Sequence, residues 1–476
     1  MSLSQKVKNA FKWSFLKTVV GQFFNPLLRL VAIPFIGDFN YGIFAIAFLY
    51  FGLLETLLGI GIRDFIISQS INDKKKLKML NSISLIFSIT FLGLAFILFP
   101  LISKAYDSNT IATTFLFICF TLPFIGIGLV PEAIAVRNLD MKNVFFIYLI
   151  PFMTSLLIVL PLAINGYGLS AILLGEVLNR ILINLCYVFL NPVGFSLPNK
   201  RFSLKIFNFS KWIAGERVLE YMSLTIDTFF ISFLGPSVAG VYNLGKNIIN
   251  IVFTVLNEPL GNIMMSIFGI LKESYSRILS LFLNILSLNI SLNITIAFLG
   301  SIASYFFFTI FLSDWNNLNI VCSYLFIGGL FRRSLWLQRD FLKTIKKVKF
   351  YPISIFASLL VYSAFYKLLQ PSNIESFLQI KIIYDISYFL VFAIIMKNIL
   401  KNEEKIERMN KFIINAIMLL VINSSFIYLS IEIIKELSLL NLIFYCLIIF
   451  LINVTISYKF FVDTLKKVQM NNINRI

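Results

Sequence analysis

Apolar runs of about 20 residues, separated by short polar breaks, recur from residue 13 to residue 458. A run of that length carries a helix across a hydrocarbon core of roughly 30 Å. The pattern predicts fourteen spans: 13–36, 42–68, 79–103, 110–130, 144–164, 168–190, 212–234, 241–268, 278–312, 318–331, 350–369, 380–396, 412–429 and 439–458. The ninth is long enough to tilt or bend, and the tenth is short and ends at Arg332 and Arg333.

Within this pattern the chain repeats itself. Gly37-Asp38-Phe39-Asn40-Tyr41-Gly42-Ile43-Phe44 and Gly235-Pro236-Ser237-Val238-Ala239-Gly240-Val241-Tyr242 share a glycine, four residues, a second glycine, one residue and an aromatic, at an offset of 198. The same offset pairs Thr18 with Glu216, Gln22 with Glu220, Asn25 with Ser223 and Arg29 with Asp227 in the preceding spans. Their spacing of i, i+4, i+7 and i+11 places four polar side chains on one face of an otherwise apolar helix. Two halves that begin alike point to a duplication.

Composition fixes the solvent. Of 476 residues 58% are hydrophobic and 13% charged, and the mean hydropathy is +0.87. These values belong to a polytopic membrane protein. The net charge of +18 is explained by topology. With the N-terminus in the cytoplasm, the Lys74–Lys78 run, the 200–211 cluster, Arg332 to Lys349 and 401–411 all fall on that side. The opposite breaks carry single lysines at most, Lys104, Lys381 and Lys435. This asymmetry predicts that both termini are cytoplasmic and removes the need for a nucleic-acid partner. It divides the chain into an N-terminal segment 1–12, a first lobe 13–190, a linker 191–211, a second lobe 212–400, a loop 401–411, two extra helices within 412–459, and a tail 460–476. The lobes would be parallel repeats about an axis along the membrane normal, with a cavity between them.

Histidine is absent, which excludes a histidine base, ligand or switch. The four cysteines lie within apolar spans without metal-like spacing, so they read as small core residues. No cofactor or metal is expected.

Gly21, Arg29, the Ile36-Gly37-x3-Tyr41-Gly42-Ile43-Phe44 turn and Gly59-Ile60-Gly61 resemble the start of polysaccharide flippases of the Wzx type. These belong to the multidrug/oligosaccharidyl-lipid/polysaccharide exporter superfamily. Leu234-Gly235-x4-Gly240-Val241-Tyr242 with Pro259 resembles the start of that family's second lobe. Pro131 to Lys142 is similar to its loop after the fourth span, and Gly166-x-Gly168 to the turn into its sixth. The resemblance implies an all-α polytopic membrane protein with two pseudo-symmetric six-helix lobes forming a V-shaped central cavity, plus two extra C-terminal helices. It implies a flippase in the bacterial plasma membrane that moves an undecaprenyl-pyrophosphate-linked oligosaccharide to the outer leaflet for O-antigen or capsule synthesis. Membrane lipids, an H+ or Na+ gradient, a polysaccharide polymerase and a chain-length regulator are the partners it implies.

A pyrophosphate and its sugars cannot cross hydrocarbon without a wet, polar route. Arg29 in an apolar span either faces such a route or snorkels to the headgroups, and its stripe partners Gln22 and Asn25 favour the route. On the eighth span Asn243, Asn247, Asn250, Thr254 and Asn257 form a second stripe with Lys246 beside it. Its amides suit sugar hydroxyls, or hydrogen bonds between helices. Asp227, Glu220, Glu258 and Glu55 are candidates to couple the ion, with Asp227 foremost. Glu176 with Arg180, and Glu216 with Arg217, read as structural ion pairs. An exporter of organic cations from the same superfamily and a membrane glycan polymerase or ligase are the alternatives. The absence of a long outside loop counts against the enzyme.

Overall fold

The computed structural model describes residues 12–13, 16–17, 21, 25–59, 61–68, 71, 73–270, 275–312, 314–335 and 338–399. Among them all regular structure is helical. In chain order the helices are α1 (Asn25–Ile36), α2 (Asp38–Gly59), α3 (Ile62–Ser68), α4 (Lys74–Tyr106), α5 (Asn109–Cys119), α6 (Leu122–Arg137), α7 (Met141–Tyr148), α8 (Ile150–Thr154), a π turn (Ser155–Val159) and α9 (Leu160–Ile164). There follow α10 (Gly168–Leu190), α11 (Lys200–Ser232), α12 (Pro236–Ile270), α13 (Tyr275–Phe311), α14 (Leu318–Ser334), α15 (Gln338–Thr344), α16 (Phe350–Leu369) and α17 (Ile374–Ile399). Eight stretches of the described chain are long and apolar enough to cross a membrane. The spans expected at 212–234, 241–268 and 278–312 fall on α11, α12 and α13. Those expected at 412–429 and 439–458, with 401–411 and 460–476, lie outside the described residues. Ile86, Phe87, Ile89, Phe96 and Ile97 stand exposed on α4, as lipid-facing side chains must.

Two expected elements are rearranged by proline. Residues 110–130 were expected as one span followed by a loop from Pro131. The stretch 109–137 is one candidate span with a turn at 120–121 before Pro123, and α6 runs on through Pro131 to Arg137 where the loop was expected. An internal proline removes one backbone hydrogen bond, which a packed membrane helix tolerates. The expected span 144–164 is divided by Pro151 and Pro161, between which the helix widens into a π turn.

The duplicated turns are shorter than the loops expected there. Gly37 (φ +80°) and Gly235 (φ +107°) each take a left-handed conformation that suits glycine. A helix resumes at once with Asp38 or Pro236, both suited to a first turn. The turns also meet. A Cβ at Gly42 would fall inside the Pro236 carbonyl, and one at Gly240 inside the Asp38 carbonyl. Asp38 and Pro236 are equivalent at the offset of 198, as are Gly42 and Gly240. The contact is therefore reciprocal, as in an isologous interface.

Two compact units make up the chain, Met1–Leu244 and Gly245–Ile476. In the first, Ile62, Phe65 and Ile66 of α3 pack with Leu77 and Leu80 of α4, Val130 and Ala133 of α6, and Ile206 of α11. Ser84 donates to the Gly126 carbonyl at 2.7 Å, the close approach that small residues allow between membrane helices. In the second, Phe282 stacks on Phe341 at 3.9 Å between ring centres, and Tyr362 lies 4.5 Å from Tyr384.

Candidate functional site

The densest buried charge in the second unit lies where α14 meets α17. Arg332 and Arg333 were expected in a cytoplasmic loop after a span ending at 331, and Lys381 at the outer face. In the structure Arg332 and Arg333 form the last turn of α14, and Lys381 lies within α17. Lys381 is only 5% exposed, one turn from Asp385 at 1%.

Asp385 is the meeting point. Its Oδ2 pairs with the Lys381 ammonium, and its Oδ1 lies 3.8 Å from the Arg332 guanidinium. Lys381 and Asp385 are four residues apart on one helix face, so α17 presents them together. The Arg332 guanidinium lies over Tyr384 at 5.2 Å and Tyr388 at 5.6 Å, the geometry of a cation over an aromatic face. Tyr388 donates to Gln338 at 3.0 Å, and Gln338 donates to Ser354 at 3.0 Å, which fixes the ring from behind. Arg333 donates to the Asn250 side-chain oxygen on α12. Among the described residues this cluster holds three cations and one carboxylate, so its net charge is positive. Buried guanidinium groups within a span are expensive in lipid, and they mark substrate or ion paths.

The asparagine stripe is split by this arrangement. Asn250 serves Arg333, Asn247 is exposed and Lys246 half-buried. Asn257 is instead buried in a chain of amides. It donates to Asn293 at 3.2 Å, Asn293 donates to Asn289 at 3.1 Å, and Asn289 donates to the Ser334 carbonyl at 3.4 Å. Its amide therefore serves the packing of α12, α13 and α14, the role weighed for any single asparagine of the stripe.

The first unit holds a cluster of opposite composition. Arg180 of α10 pairs with Glu176 at 2.8 Å, as the one-turn spacing predicts, and also with Glu55 of α2. Phe51 and Phe48 lie 4.5 and 5.3 Å from the guanidinium. Glu55, expected as a coupling candidate on its own, is thus one arm of an ion triad that long-range packing assembles. On α11, Asp227 is 3% exposed and accepts hydrogen bonds at 2.7 Å from the Tyr242 hydroxyl and from the Thr228 amide. Arg217 lies 3.5 Å from Glu220, three residues on along the same helix face. Gln22, and the side chains of Asn25, Arg29 and Glu258, lie outside the described residues.

The family described as polysaccharide biosynthesis protein matches residues 35–320, more than half of the chain. The chain belongs to that family. Within this polysaccharide biosynthesis family, the lipopolysaccharide biosynthesis protein WzxC of Escherichia coli (strain K12) is a curated relative. It is 22% identical over 352 residues, which cover 70% of this chain and 68% of WzxC. The fold is similar to that of lipid II flippase MurJ in an inward closed conformation. The TM-score is 0.72 at 15% identity, over 94% of this chain and 98% of MurJ. An inward-facing multidrug resistance MATE family transporter gives 0.55 at 14% identity, over 86% of this chain and 98% of its own. The resemblance to Wzx-type members of the exporter superfamily is borne out. The chain has the fold of a multi-pass helical membrane protein.

Proposed function

We propose that the protein flips an undecaprenyl-pyrophosphate-linked oligosaccharide from the cytoplasmic to the outer leaflet of a bacterial plasma membrane, supplying O-antigen or capsular polysaccharide synthesis. The observation that supports this reading is the partly buried cluster in which Arg332 and Lys381 meet the carboxylate of Asp385, with Arg333 next to Arg332. A diphosphate entering hydrocarbon depth needs its charge matched, and guanidinium forks match phosphate oxygens in pairs. Asp385 offsets the mutual repulsion of the cations until the headgroup takes its place. Lys246, Asn247 and Asn250 supply donors and acceptors to sugar hydroxyls. Arg29, Asn25 and Gln22 are further candidates to bind the headgroup in this reading, and both termini lie in the cytoplasm.

Transport in one direction requires a driving ion. We assign the coupling to Asp227, whose burial and short hydrogen bonds make binding of H+ or Na+ a local event with consequences for α11 and α12. Glu55, Glu220 and Glu258 are the further candidates. A polymerase and a chain-length regulator would receive the flipped units.

Deletion of the gene followed by analysis of lipid-linked glycan tests the reading. Complete repeat units should accumulate on the cytoplasmic leaflet, and complementation by Asp227→Asn should leave a residual flux insensitive to the ion gradient. Unpolymerised units on the outer leaflet would reject flipping. The acid-rich triad of Glu55, Glu176 and Arg180 favours a second reading, export of organic cations. That reading predicts normal glycan and a drug-sensitive deletion strain.

A further inference from the structure

Two basic stretches that lie more than a hundred residues apart form one surface in the first unit. Asn81 of α4 donates to the Val193 carbonyl at 2.9 Å, and the Ser196 amide donates to Ser82 at 3.0 Å. A Cβ at Gly194 would touch the Lys78 side chain at 3.4 Å. Phe202 and Phe209 of α11 pack against the core that Leu77 and Leu80 of α4 help to form. The segment 193–211 is thereby strapped along the N-terminal turns of α4.

This surface is basic, exposed and studded with apolar side chains. Lys74, Lys75, Lys78, Lys200, Arg201 and Lys205 are all exposed. The carboxylate within residues 73–82 and 193–211 is Asp73, which caps Lys75 and pairs with Lys76 at 3.7 Å. Between the cations stand Leu197 at 92% exposure and Phe207 at 63%, with Phe195 and Leu204 also exposed. Helices α4 and α11 each hold 33 residues, a length of roughly 50 Å against a hydrocarbon core of roughly 30 Å. Their basic ends therefore project into the headgroup layer. Cations beside exposed Leu and Phe at that depth are the pattern of an interfacial anchor.

We propose that this surface binds the phosphodiester headgroups of anionic bilayer lipids and pins the 191–199 connector to the leaflet. The cations contact phosphate, and Leu197 and Phe207 enter the acyl boundary. The site is separate from the buried cluster of Arg332 and its partners and does not depend on the flippase reading.

The test is native mass spectrometry of the purified full chain titrated with phosphatidylglycerol or phosphatidylcholine. The wild type should retain phosphatidylglycerol preferentially, and raised salt should weaken retention. The variant Lys74→Gln, Lys75→Gln, Lys78→Gln, Lys200→Gln, Arg201→Gln, Lys205→Gln should lose at least roughly tenfold in phosphatidylglycerol affinity. Leu197→Gln with Phe207→Gln should weaken retention of the same lipid while leaving its salt dependence in place. Arg332→Ala should retain phosphatidylglycerol as the wild type does. Equal retention of the two lipids by the wild type, or unchanged affinity in the six-fold variant, would overturn the proposal.

Discussion

Arg180 in the first unit and Asp385 in the second each stand at the centre of a buried ion cluster in which they are outnumbered. Arg180 faces two carboxylates, Glu55 and Glu176, whereas Asp385 is set among Lys381, Arg332 and Arg333. Both clusters use one i, i+4 pair on a single helix and recruit a further charge from a distant helix. Aromatic rings flank the guanidinium in both. The difference lies in the sign of the excess. An acid-rich site attracts cations and a base-rich site attracts anions, so the two clusters differ in the sign of the ligand each would favour. In each case the outnumbered residue keeps the like charges from repelling one another.

The strongest test removes that residue. Arg180→Ala and Asp385→Ala should each destabilise the protein by about 3–5 kcal/mol, because each strands buried like charges. Thermal unfolding in detergent reads this, and a cost below about 1 kcal/mol at either site would mean that its cluster is effectively solvated. Function should separate the clusters further. Arg332→Ala with Arg333→Ala should lower flipping of a lipid-linked oligosaccharide in proteoliposomes roughly 100-fold, equivalent to about 2.7 kcal/mol. Glu55→Gln should leave more activity than that pair. Equal losses would break the division of labour between anion and ion sites.

Smaller effects sharpen the comparison at its edges. Gly42→Ala and Gly240→Ala should each cost about 1–3 kcal/mol by overpacking. Because the two turns share one contact, the double variant should cost less than the summed single effects. Strict additivity in unfolding experiments would show that the turns are independent. Asn257→Ala should cost about 0.6 kcal/mol, the usual worth of a hydrogen bond between membrane helices. A loss of sugar transport without loss of stability would return Asn257 to the substrate route.

Much of the fold was legible because a membrane helix announces itself by length and hydropathy alone. The repeated Gly-x4-Gly turn was legible too, since positive φ at Gly37 and Gly235 is a local demand that selects glycine. Glu176 with Arg180 could be read from one-turn spacing. Lys381 and Asp385 carry that same one-turn signal inside the expected span 380–396, where it was not singled out.

The chain's order of residues determined that it is a helical membrane protein, that its Gly-x4-Gly turn recurs, and which side chains are too polar to face lipid. These follow from transfer energies and backbone sterics, which act locally. Only tertiary structure decided that Glu55 completes a triad with Arg180, that Asn250 faces Arg333, and that Gly42 meets Pro236 while Gly240 meets Asp38. It also joined Lys78 to the 191–211 segment. Those are meetings of groups far apart in sequence, and which polar group neutralises which is fixed by helix packing, because each had several chemically adequate partners along the chain.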